Sequence, residues 1–200
     1  MNEHQRQMAG RLYNPYKTAG DWQKIRMLLK RFNDSEYWHD SKPLDELKAM
    51  FGEAHDDTIL TPPFHCDHGF NIRFGEAFYA NTGLTILDEN EVVFGDRVII
   101  APHVSVFTAG HPIDAEVRAT GLEYAKPVRI GSDVWIGGNV VINPGVTIGD
   151  DVVIGSGSVV TKDIPPHSLA AGNPCKVIRT ITREEREYWR GEYGSYAADC

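Results

Sequence analysis

Aliphatic residues recur at every sixth position between Ile130 and Pro165. Each six-residue unit opens on an aliphatic side chain that is followed by a small or polar residue. The openers are Ile130, Ile136, Ile142, Ile148, Ile154 and Val160. A helix cannot keep such positions on one face, because its period is 3.6 residues, whereas short strands that turn a corner every six residues point every opener inward. The period therefore predicts a parallel β-helix of hexapeptide repeats.

Residues eighteen positions apart should stack in such a fold, because three hexads make one triangular coil. The predicted pairs are Ile130 with Ile148, Ile136 with Ile154, and Ile142 with Val160. Their spacing should be that of neighbouring strands, about 4.8 Å. Ordinary hairpin strands are the alternative, but the repeats lack the two-residue turns that hairpins use.

A less regular version of the same rhythm precedes these repeats. Its openers are Phe74, Ala80, Ile86, Phe94, Ile100 and Val106, with two residues inserted around Asn90. The rhythm stops for residues 107–127 and resumes in phase, because Val106 and Ile130 are twenty-four residues, or four hexads, apart. We therefore expect a β-helix over residues 61–180 that carries an excursion loop at 107–127. Long loops on rigid scaffolds often carry function, although many are tolerated insertions.

Residues 1–60 are expected to be helical. A first apolar stripe at i, i+3, i+4 and i+7 consists of Ile25, Leu28, Leu29 and Phe32. Asp21 is its candidate N-cap, and this helix should end near Asn33. A second helix is expected from about Ser41 to Gly52. Both should cover one end of the coil stack, where the first strand would otherwise expose unpaired backbone groups.

The coils are expected to end after Pro165 and Pro166. In the remaining segment, 181–200, Thr182 and Glu185 fit a capping box for a short helix that reaches about Trp189. The last residues, 191–200, are expected to be frayed.

Composition and charge narrow the class of protein. A chain of 200 residues with 42% hydrophobic content suffices for one globular domain. Its first twenty residues contain no apolar run, which argues against a signal peptide and a membrane span there. A cytoplasmic location is therefore expected. A net charge of −8 disfavours nucleic acid and anionic membrane as main partners. Cys66, Cys175 and Cys200 include no close pair, which argues against a disulfide framework and a structural zinc site.

Basic residues nevertheless gather between Thr161 and Arg183. Four cations stand there against one acidic residue, so four minus one gives a local charge of +3. The cations are Lys162, Lys176, Arg179 and Arg183, and the acidic residue is Asp163. A small anionic ligand is one explanation, and a solvated basic face that balances acidic neighbours is the other.

Several longer motifs extend beyond the repeats. They are A-G-R-L-Y at 9–13, N-I-R-F-G-E-A-F-Y-A-N at 71–81, G-H-P-I at 110–113, K-P-V-R-I-G-S-D-V-W-I-G-G at 126–138, I-N-P-G-V-T-I-G-D at 142–150 and T-K-D-I-P-P at 161–166. Together they resemble the hexapeptide-repeat acyltransferases, and within them the sugar O-acetyltransferases of the maltose and galactoside type. The resemblance covers nearly the whole chain.

This resemblance implies a left-handed β-helix, against the usual right-handed preference of parallel crossovers. It also implies a homotrimer with active sites in the clefts between subunits. The implied activity is transfer of an acetyl group from acetyl-CoA to a hydroxyl of a sugar, such as maltose, glucose or a galactoside, without a metal.

The same resemblance implies the catalytic residues. His111 would be the general base, and the unperturbed pKa of imidazole, about 6.5, suits proton exchange near neutrality. Asn81 matches an asparagine at the reacting centre, where its amide donates to an oxyanion or holds the acceptor. Glu123 is not part of the resemblance; its place in the same excursion loop makes it a candidate to orient the imidazole. No Ser or Cys nucleophile motif lies near His111, so direct transfer without an acetyl-enzyme is expected.

For the acceptor, the resemblance adds Asp67 and Glu89, although the neighbouring Asp88 leaves the register open by one. Trp135 should project outward, where it would contact either a ligand or another subunit. Turn chemistry at coil corners also explains Asn and Asp at such places. An acidic residue that some relatives use near the N terminus has no counterpart here, where Asn14 stands.

The residues carried over to a coenzyme A cleft offer backbone, hydroxyl and cationic groups. They are Gly138, Ser156, Thr161, Lys162, Lys176 and Arg179. The cations among them would bind phosphates, which gives the local positive charge a purpose.

Three other functions stay open on the sequence. One is a xenobiotic or antibiotic O-acetyltransferase on the same coil. Another is a γ-type carbonic anhydrase, in which three imidazoles bind a metal between subunits. The histidines that suggest this metal site are His65, His68, His103 and His111. The last is a structural scaffold, against which the cationic segment argues.

Overall fold

The computed structural model describes residues 1–18, 20 and 22–199, and short parallel strands wind through it as a β-solenoid. The helices are α1 (Glu3–Met8), α2 (Trp22–Asn33), α3 (Lys42–Lys48), α4 (Ala115–Arg118) and α5 (Arg183–Asp199), with a 3-10 turn at Pro15–Lys17. The strands before the excursion are β1 (Ile59–Leu60), β2 (His65–Cys66), β3 (Ile72–Arg73), β4 (Tyr79–Ala80), β5 (Thr85–Leu87), β6 (Val92–Phe94), β7 (Ile99–Ile100) and β8 (Ser105–Phe107). The excursion contains β9 (Ala109–Gly110) and β10 (Tyr124–Ala125). The later strands are β11 (Val128–Ile130), β12 (Trp135–Ile136), β13 (Val141–Ile142), β14 (Thr147–Ile148), β15 (Val153–Ile154), β16 (Val159–Val160), β17 (Ser168–Ala171) and β18 (Lys176–Thr180).

Three sheets form the walls of the solenoid in the described part of the chain. The first face is the seven-stranded sheet β1-β4-β7-β12-β15-β17-β18, the second is β16-β13-β8-β5-β2, and the third is β14-β11-β6-β3. Each coil visits the first, second and third face in that order. We call the turn from the first to the second face the first corner, and the turn from the second to the third face the second corner.

The predicted stacking of the hexads is confirmed. Parallel ladders pair Ile130 with Ile148, Ile136 with Ile154, and Ile142 with Val160. Every opener of both runs is buried in one continuous core. Full burial of a Val, Ile or Phe side chain contributes about 1.5 to 3 kcal/mol, so each of these openers stabilises the coil that carries it.

The coils continue past Pro166, so the expectation that they end there is wrong. Ile148 bridges Ile164 and Ile154 pairs with Ala170, which makes both spacings sixteen residues (164 − 148 and 170 − 154) instead of eighteen. The last coil is therefore two residues shorter than a regular one, which breaks the hexad pattern while the ladder goes on. β18 then returns antiparallel to β17 and closes this edge.

The N-terminal helices cover the first coil, as predicted. The apolar stripe of α2 is buried in the same core as the coil openers, and α2 ends at Asn33 as expected. The Asn33 amide donates to the Phe64 carbonyl at 2.9 Å and accepts from the Phe64 backbone N–H at 2.8 Å. Glu53 pairs with Arg73 and extends the third face. These contacts satisfy backbone groups of Phe64 and of the third face at the end of the stack. The candidate N-cap, Asp21, lies outside the described residues.

The second predicted helix is shorter than expected. α3 ends at Lys48 instead of continuing to Gly52. The backbone N–H groups of Met50 and Phe51 donate to carbonyls three residues back, those of Leu47 and Lys48. This tighter hydrogen bonding ends the α-helix and turns the chain toward the first coil.

The C-terminal helix is longer than expected. The capping box is confirmed, because the Thr182 N–H donates to Glu185 Oε2 at 3.0 Å and the Glu185 N–H donates to Thr182 Oγ1 at 3.2 Å. α5 continues to Asp199, so the expectation of a short helix with a frayed end is wrong. Gly191 and Gly194 lower helix propensity by about 1 kcal/mol each, but they do not block the helix as proline would.

Cys66 is half-buried and Cys175 is buried, and both carry free thiols. Cys200 lies outside the described residues. Among the helices that the structure describes, none is long and apolar enough to cross a membrane.

Candidate active site

The excursion between β8 and β11 is a hairpin that holds His111 and Glu123 at one end. β9 and β10 pair antiparallel, with Tyr124 opposite Gly110. His111 directly follows β9 and Glu123 directly precedes β10. A Cβ at Gly110 would lie 2.6 Å from the Tyr124 ring, so glycine allows the two strands to close. His111 Nε2 lies 4.0 Å from Glu123 Oε1, which is close enough for attraction between an imidazolium and a carboxylate.

A cavity of about 590 Å³ opens beside His111. Its walls come from the N-terminal segment, the second corner and the excursion. Its functional groups are the rings of Tyr16 and Trp22, the guanidinium of Arg26, the imidazole of His111 and the carboxyl groups of Asp67, Glu89 and Glu123. The volume is within the range of small-molecule sites, and the convergent polar groups suit a polyhydroxylated ligand.

The two-residue insertion around Asn90 forms a buried polar bulge at the second corner. Asp88, Glu89 and Asn90 are 0%, 5% and 2% exposed. Asp88 accepts the backbone N–H groups of Asp67 and His68 at 2.9 Å each and that of Gly69 at 2.8 Å. Asp88 therefore holds the turn, and it leaves Asp67 and Glu89 to line the cavity.

Glu89 lies at the centre of a hydrogen-bond network beneath the cavity. Its Oε2 accepts from the Gln7 amide and, at 3.0 Å, from the Tyr13 hydroxyl. Its Oε1 lies 3.1 Å from His68 Nε2. The Tyr13 hydroxyl is also 2.9 Å from Glu123 Oε2. The network therefore joins the N-terminal segment, the second corner and the excursion.

The crowded carboxyl groups perturb one another. Burial, followed by the charges of Glu89 and Asp88, raises the pKa of Asp67 to about 6. Burial opposes charge on His68, but the hydrogen bond to Glu89 and the nearby carboxylates outweigh it and raise the pKa of this histidine. Burial and the charges of Glu89 and Glu123 raise the pKa of Tyr13, so its hydroxyl remains a hydrogen-bond donor.

Cys66 lies next to this cluster. Burial, together with the charges of Asp88 and Asp67, raises the pKa of its thiol well above the usual value. The thiolate is the nucleophilic form of cysteine, so this environment suppresses the reactivity of Cys66. The environment supports the inference that the site uses no acetyl-cysteine.

Asn81 stands at the first corner and not in the cavity beside His111. Its side-chain oxygen accepts from the Thr82 N–H at 2.7 Å, which leaves the amide nitrogen for a ligand. The coils below it place Gly138 and Ser156 at the same corner, after β12 and β15. Three of the predicted site residues therefore lie along one edge of the solenoid.

The remaining predicted residues lie elsewhere. Thr161 and Lys162 follow β16 at the second corner, whereas Lys176 and Arg179 lie on β18 at the edge of the first face. Arg179 pairs with Glu185 of α5 through its two terminal guanidinium nitrogens. Trp135 is 53% exposed on β12 and lines, with Arg179, a second cavity of about 490 Å³ beneath α5.

The histidines that suggested a metal site are not gathered in one place. His65 is exposed on β2, His68 is buried against Glu89, and His103 lies against Gly83 at the first corner. Within the described ranges, no group of three or more His, Cys, Asp or Glu side chains is arranged to hold a metal ion.

Sequence reasoning missed the contribution of the N-terminal segment. Tyr13 entered only as the last letter of A-G-R-L-Y, and Gln7, Trp22 and Arg26 did not enter at all. The available signal was the polar insertion around Asn90, because buried polar residues that interrupt an apolar rhythm need partners from elsewhere in the chain.

Comparison with known proteins first defines the class. The repeats match the family model described as bacterial transferase hexapeptide (six repeats) over residues 127–162. The chain is 44% identical over 187 residues to the galactoside O-acetyltransferase of Escherichia coli (strain K12), and the match covers 92% of each chain.

Solved structures agree. A galactoside acetyltransferase in complex with coenzyme A has a TM-score of 0.89 and 43% identity, and the match covers 93% of this chain and 94% of that one. A maltose O-acetyltransferase from Clostridium difficile 630 has a TM-score of 0.86 and 43% identity, with 92% and 99% covered. The chain therefore belongs to the hexapeptide-repeat acetyltransferases, in the branch that contains the galactoside and maltose O-acetyltransferases, which confirms the resemblance drawn from its motifs.

Proposed function

We propose that the protein transfers an acetyl group from acetyl-CoA to a hydroxyl group of a sugar, with His111 as the general base. The observation that carries the proposal is the pairing of His111 with Glu123 at the wall of a polar cavity of about 590 Å³. The names of the relatives support the donor and the acceptor class, since they include sugar O-acetyltransferases and complexes with coenzyme A or acetyl-CoA.

The cavity walls suit a sugar. The carboxyl groups of Asp67 and Glu89 accept hydrogen bonds from hydroxyl groups. The ring of Trp22 offers an apolar surface on which the C–H face of a sugar can pack. Arg26 supplies a hydrogen-bond donor at the same wall. A neutral polyol satisfies all of these groups together.

The chemistry is a direct transfer in a ternary complex. The imidazole of His111 takes the proton of the acceptor hydroxyl as its oxygen attacks the thioester carbonyl carbon. The C–S bond then breaks, and the leaving thiolate takes the proton back from the imidazolium. Glu123 stabilises that imidazolium, and the Asn81 amide donates to the developing oxyanion. No step requires a covalent intermediate.

The donor residues favour a homotrimer with sites between subunits. Asn81, Gly138 and Ser156 lie at the first corner, whereas His111, Thr161 and Lys162 lie at or leave from the second. The second face separates these corners within one chain. A neighbouring subunit can bring its first corner to the second corner of this one, and coenzyme A would then lie between them, with Lys176 available to its phosphates and Arg179 able to bind one by exchanging its partner Glu185.

The test is His111→Ala in a thiol-release assay with acetyl-CoA and a panel of glucose, maltose, a thiogalactoside and chloramphenicol-like alcohols. We expect kcat to fall about 10² to 10⁴-fold while the KM for acetyl-CoA is unchanged, because the base acts only in the chemical step. His55→Ala, which removes an imidazole outside the cavity, is the control. Full activity of His111→Ala would refute the base, and a wild-type protein that acetylates only the chloramphenicol-like alcohols would refute the sugar acceptor.

A further inference from the structure

We propose that Tyr13 is a positioning residue for acetyl transfer: its hydroxyl bridges Glu89 and Glu123 and so fixes the carboxylate that orients His111. The inference rests on the proposed role of His111 as the base. The N-terminal segment would then help to position His111, in addition to covering the first coil.

The backbone already joins Tyr13 to Glu123. The two residues form an antiparallel bridge. The Tyr13 N–H donates to the Glu123 carbonyl at 2.9 Å, and the Glu123 N–H donates to the Tyr13 carbonyl at 3.1 Å. Tyr13 therefore adds a third strand position to the hairpin that carries His111. Tyr13 thus contacts Glu123 through both its backbone and its side-chain hydroxyl.

Glu123 depends on the Tyr13 hydroxyl more than Glu89 does, because other donors also reach Glu89. The Tyr13 hydroxyl carries one hydrogen and lies 3.0 Å from Glu89 Oε2 and 2.9 Å from Glu123 Oε2. Gln7 donates to Glu89 as well, and His68 lies within hydrogen-bond distance of its other oxygen. Glu89 can therefore release the tyrosine hydrogen to Glu123.

Burial makes the bridge hard to replace. Tyr13 is 1% exposed, so water cannot readily take the place of its hydroxyl. The Glu123 side chain is 21% exposed and that of His111 is 55% exposed. Without the hydroxyl, the Glu123 carboxylate is free to turn toward solvent, and the imidazole loses the partner 4.0 Å away that orients it.

The experiment is a double-mutant cycle with Tyr13→Phe and Glu123→Gln. Tyr13→Phe retains the ring and removes only the hydroxyl. We expect kcat to fall about tenfold with an unchanged KM for acetyl-CoA, which corresponds to the loss of about one hydrogen bond in the transition state. In the Glu123→Gln background, Tyr13→Phe should change kcat by less than about twofold, because a neutral amide no longer stabilises the His111 imidazolium and fixing its position then gains little. Tyr37→Phe, at a half-buried tyrosine of the same N-terminal segment, is the matched control and should keep wild-type kcat.

Two results would overturn the inference. One is an unchanged kcat for Tyr13→Phe. The other is an equal loss in both backgrounds, which would mean that Tyr13 only supports the fold. If Tyr13→Phe does not fold, 3,5-difluorotyrosine at position 13 retains the hydroxyl and makes it a stronger donor. An altered kcat at unchanged Tm then supports the bridge, and an unaltered kcat refutes it. The proposed base fails separately, through an active His111→Ala.

Discussion

The carboxyl groups at the second corner have different roles: one holds the backbone turn, and others line the cavity. Asp88 uses both oxygens on backbone N–H groups, which is the turn chemistry expected of aspartate at a coil corner. Its neighbour Glu89 points to the cavity and to Tyr13. The sequence alone did not show whether Asp88 or Glu89 faces the cavity. In the structure it is Glu89, because the three backbone N–H groups occupy the Asp88 carboxylate. Near neutral pH, Asp67 carries a negative charge that partial burial and the neighbouring carboxylates make unfavourable.

That charge predicts a pH-dependent stability. The pKa of Asp67 is raised to about 6 by burial and by neighbouring carboxylates, whereas that of an unfolded aspartate is about 3.9. The folded protein therefore retains a proton that the unfolded chain has lost, and this group favours folding less as the pH rises from about 4 to 6. Asp67→Asn should raise Tm relative to wild type at pH 7 but not at pH 4, as measured by scanning fluorimetry. Asp56→Asn, which removes an exposed carboxyl group, is the control, and a Tm difference that does not vary with pH would contradict the prediction.

At the scale of elements, the coils and the helices are stabilised in different ways. A coil strand of two or three residues is held by ladders on both sides and by one or two inward side chains. The end of the stack has no further coil, so side chains must satisfy its backbone. Asn33 does this for Phe64 and joins α2 to the first coil.

Removal of that link should weaken the whole fold. Asn33→Ala leaves the N–H and C=O of Phe64, a residue with a fully buried side chain, without the amide partners that satisfy them. Each unsatisfied buried group costs about 1 to 3 kcal/mol, so the free energy of unfolding should fall by about 2 kcal/mol or more. Urea denaturation followed by circular dichroism measures it. Lys30→Ala, on the exposed side of the same helix, should leave the stability nearly unchanged. A similar loss in both variants would show that the Asn33 amide does not stabilise the end of the stack.

For the whole molecule, the separation of the two corners is the main functional consequence of the solenoid. A rigid triangular coil cannot bring Asn81 and His111 together by bending, because the second face lies between their corners. Association of flat faces can do so. Shared sites then follow from the shape of the coil, provided that both residues act in the same reaction.

Shared sites predict complementation between inactive subunits. His111→Ala and Asn81→Ala homomers should both be nearly inactive. Co-refolding them in equal amounts should restore about one quarter of the wild-type activity, since a site is intact when its two contributing subunits carry different substitutions in the right order. Light scattering should show a trimer throughout. Trimers that recover no activity would place both residues in a site within one chain, whereas an active Asn81→Ala homomer would remove Asn81 from the reaction.

The sequence by itself determined the period, the inward residues, the stacking register and the position of the excursion. These are local properties, because a six-residue rhythm states which side chains face the core wherever the chain lies. Motif resemblance added His111 and Glu89. Only the tertiary structure decided the length of the last coil, the extent of α5 and the network at the cavity. Tyr13 meets Glu89 and Glu123 across 76 and 110 residues of chain, and no periodicity encodes which distant polar groups will meet. That choice belongs to packing, because α1 and the following segment meet the second corner and the excursion only in the folded chain.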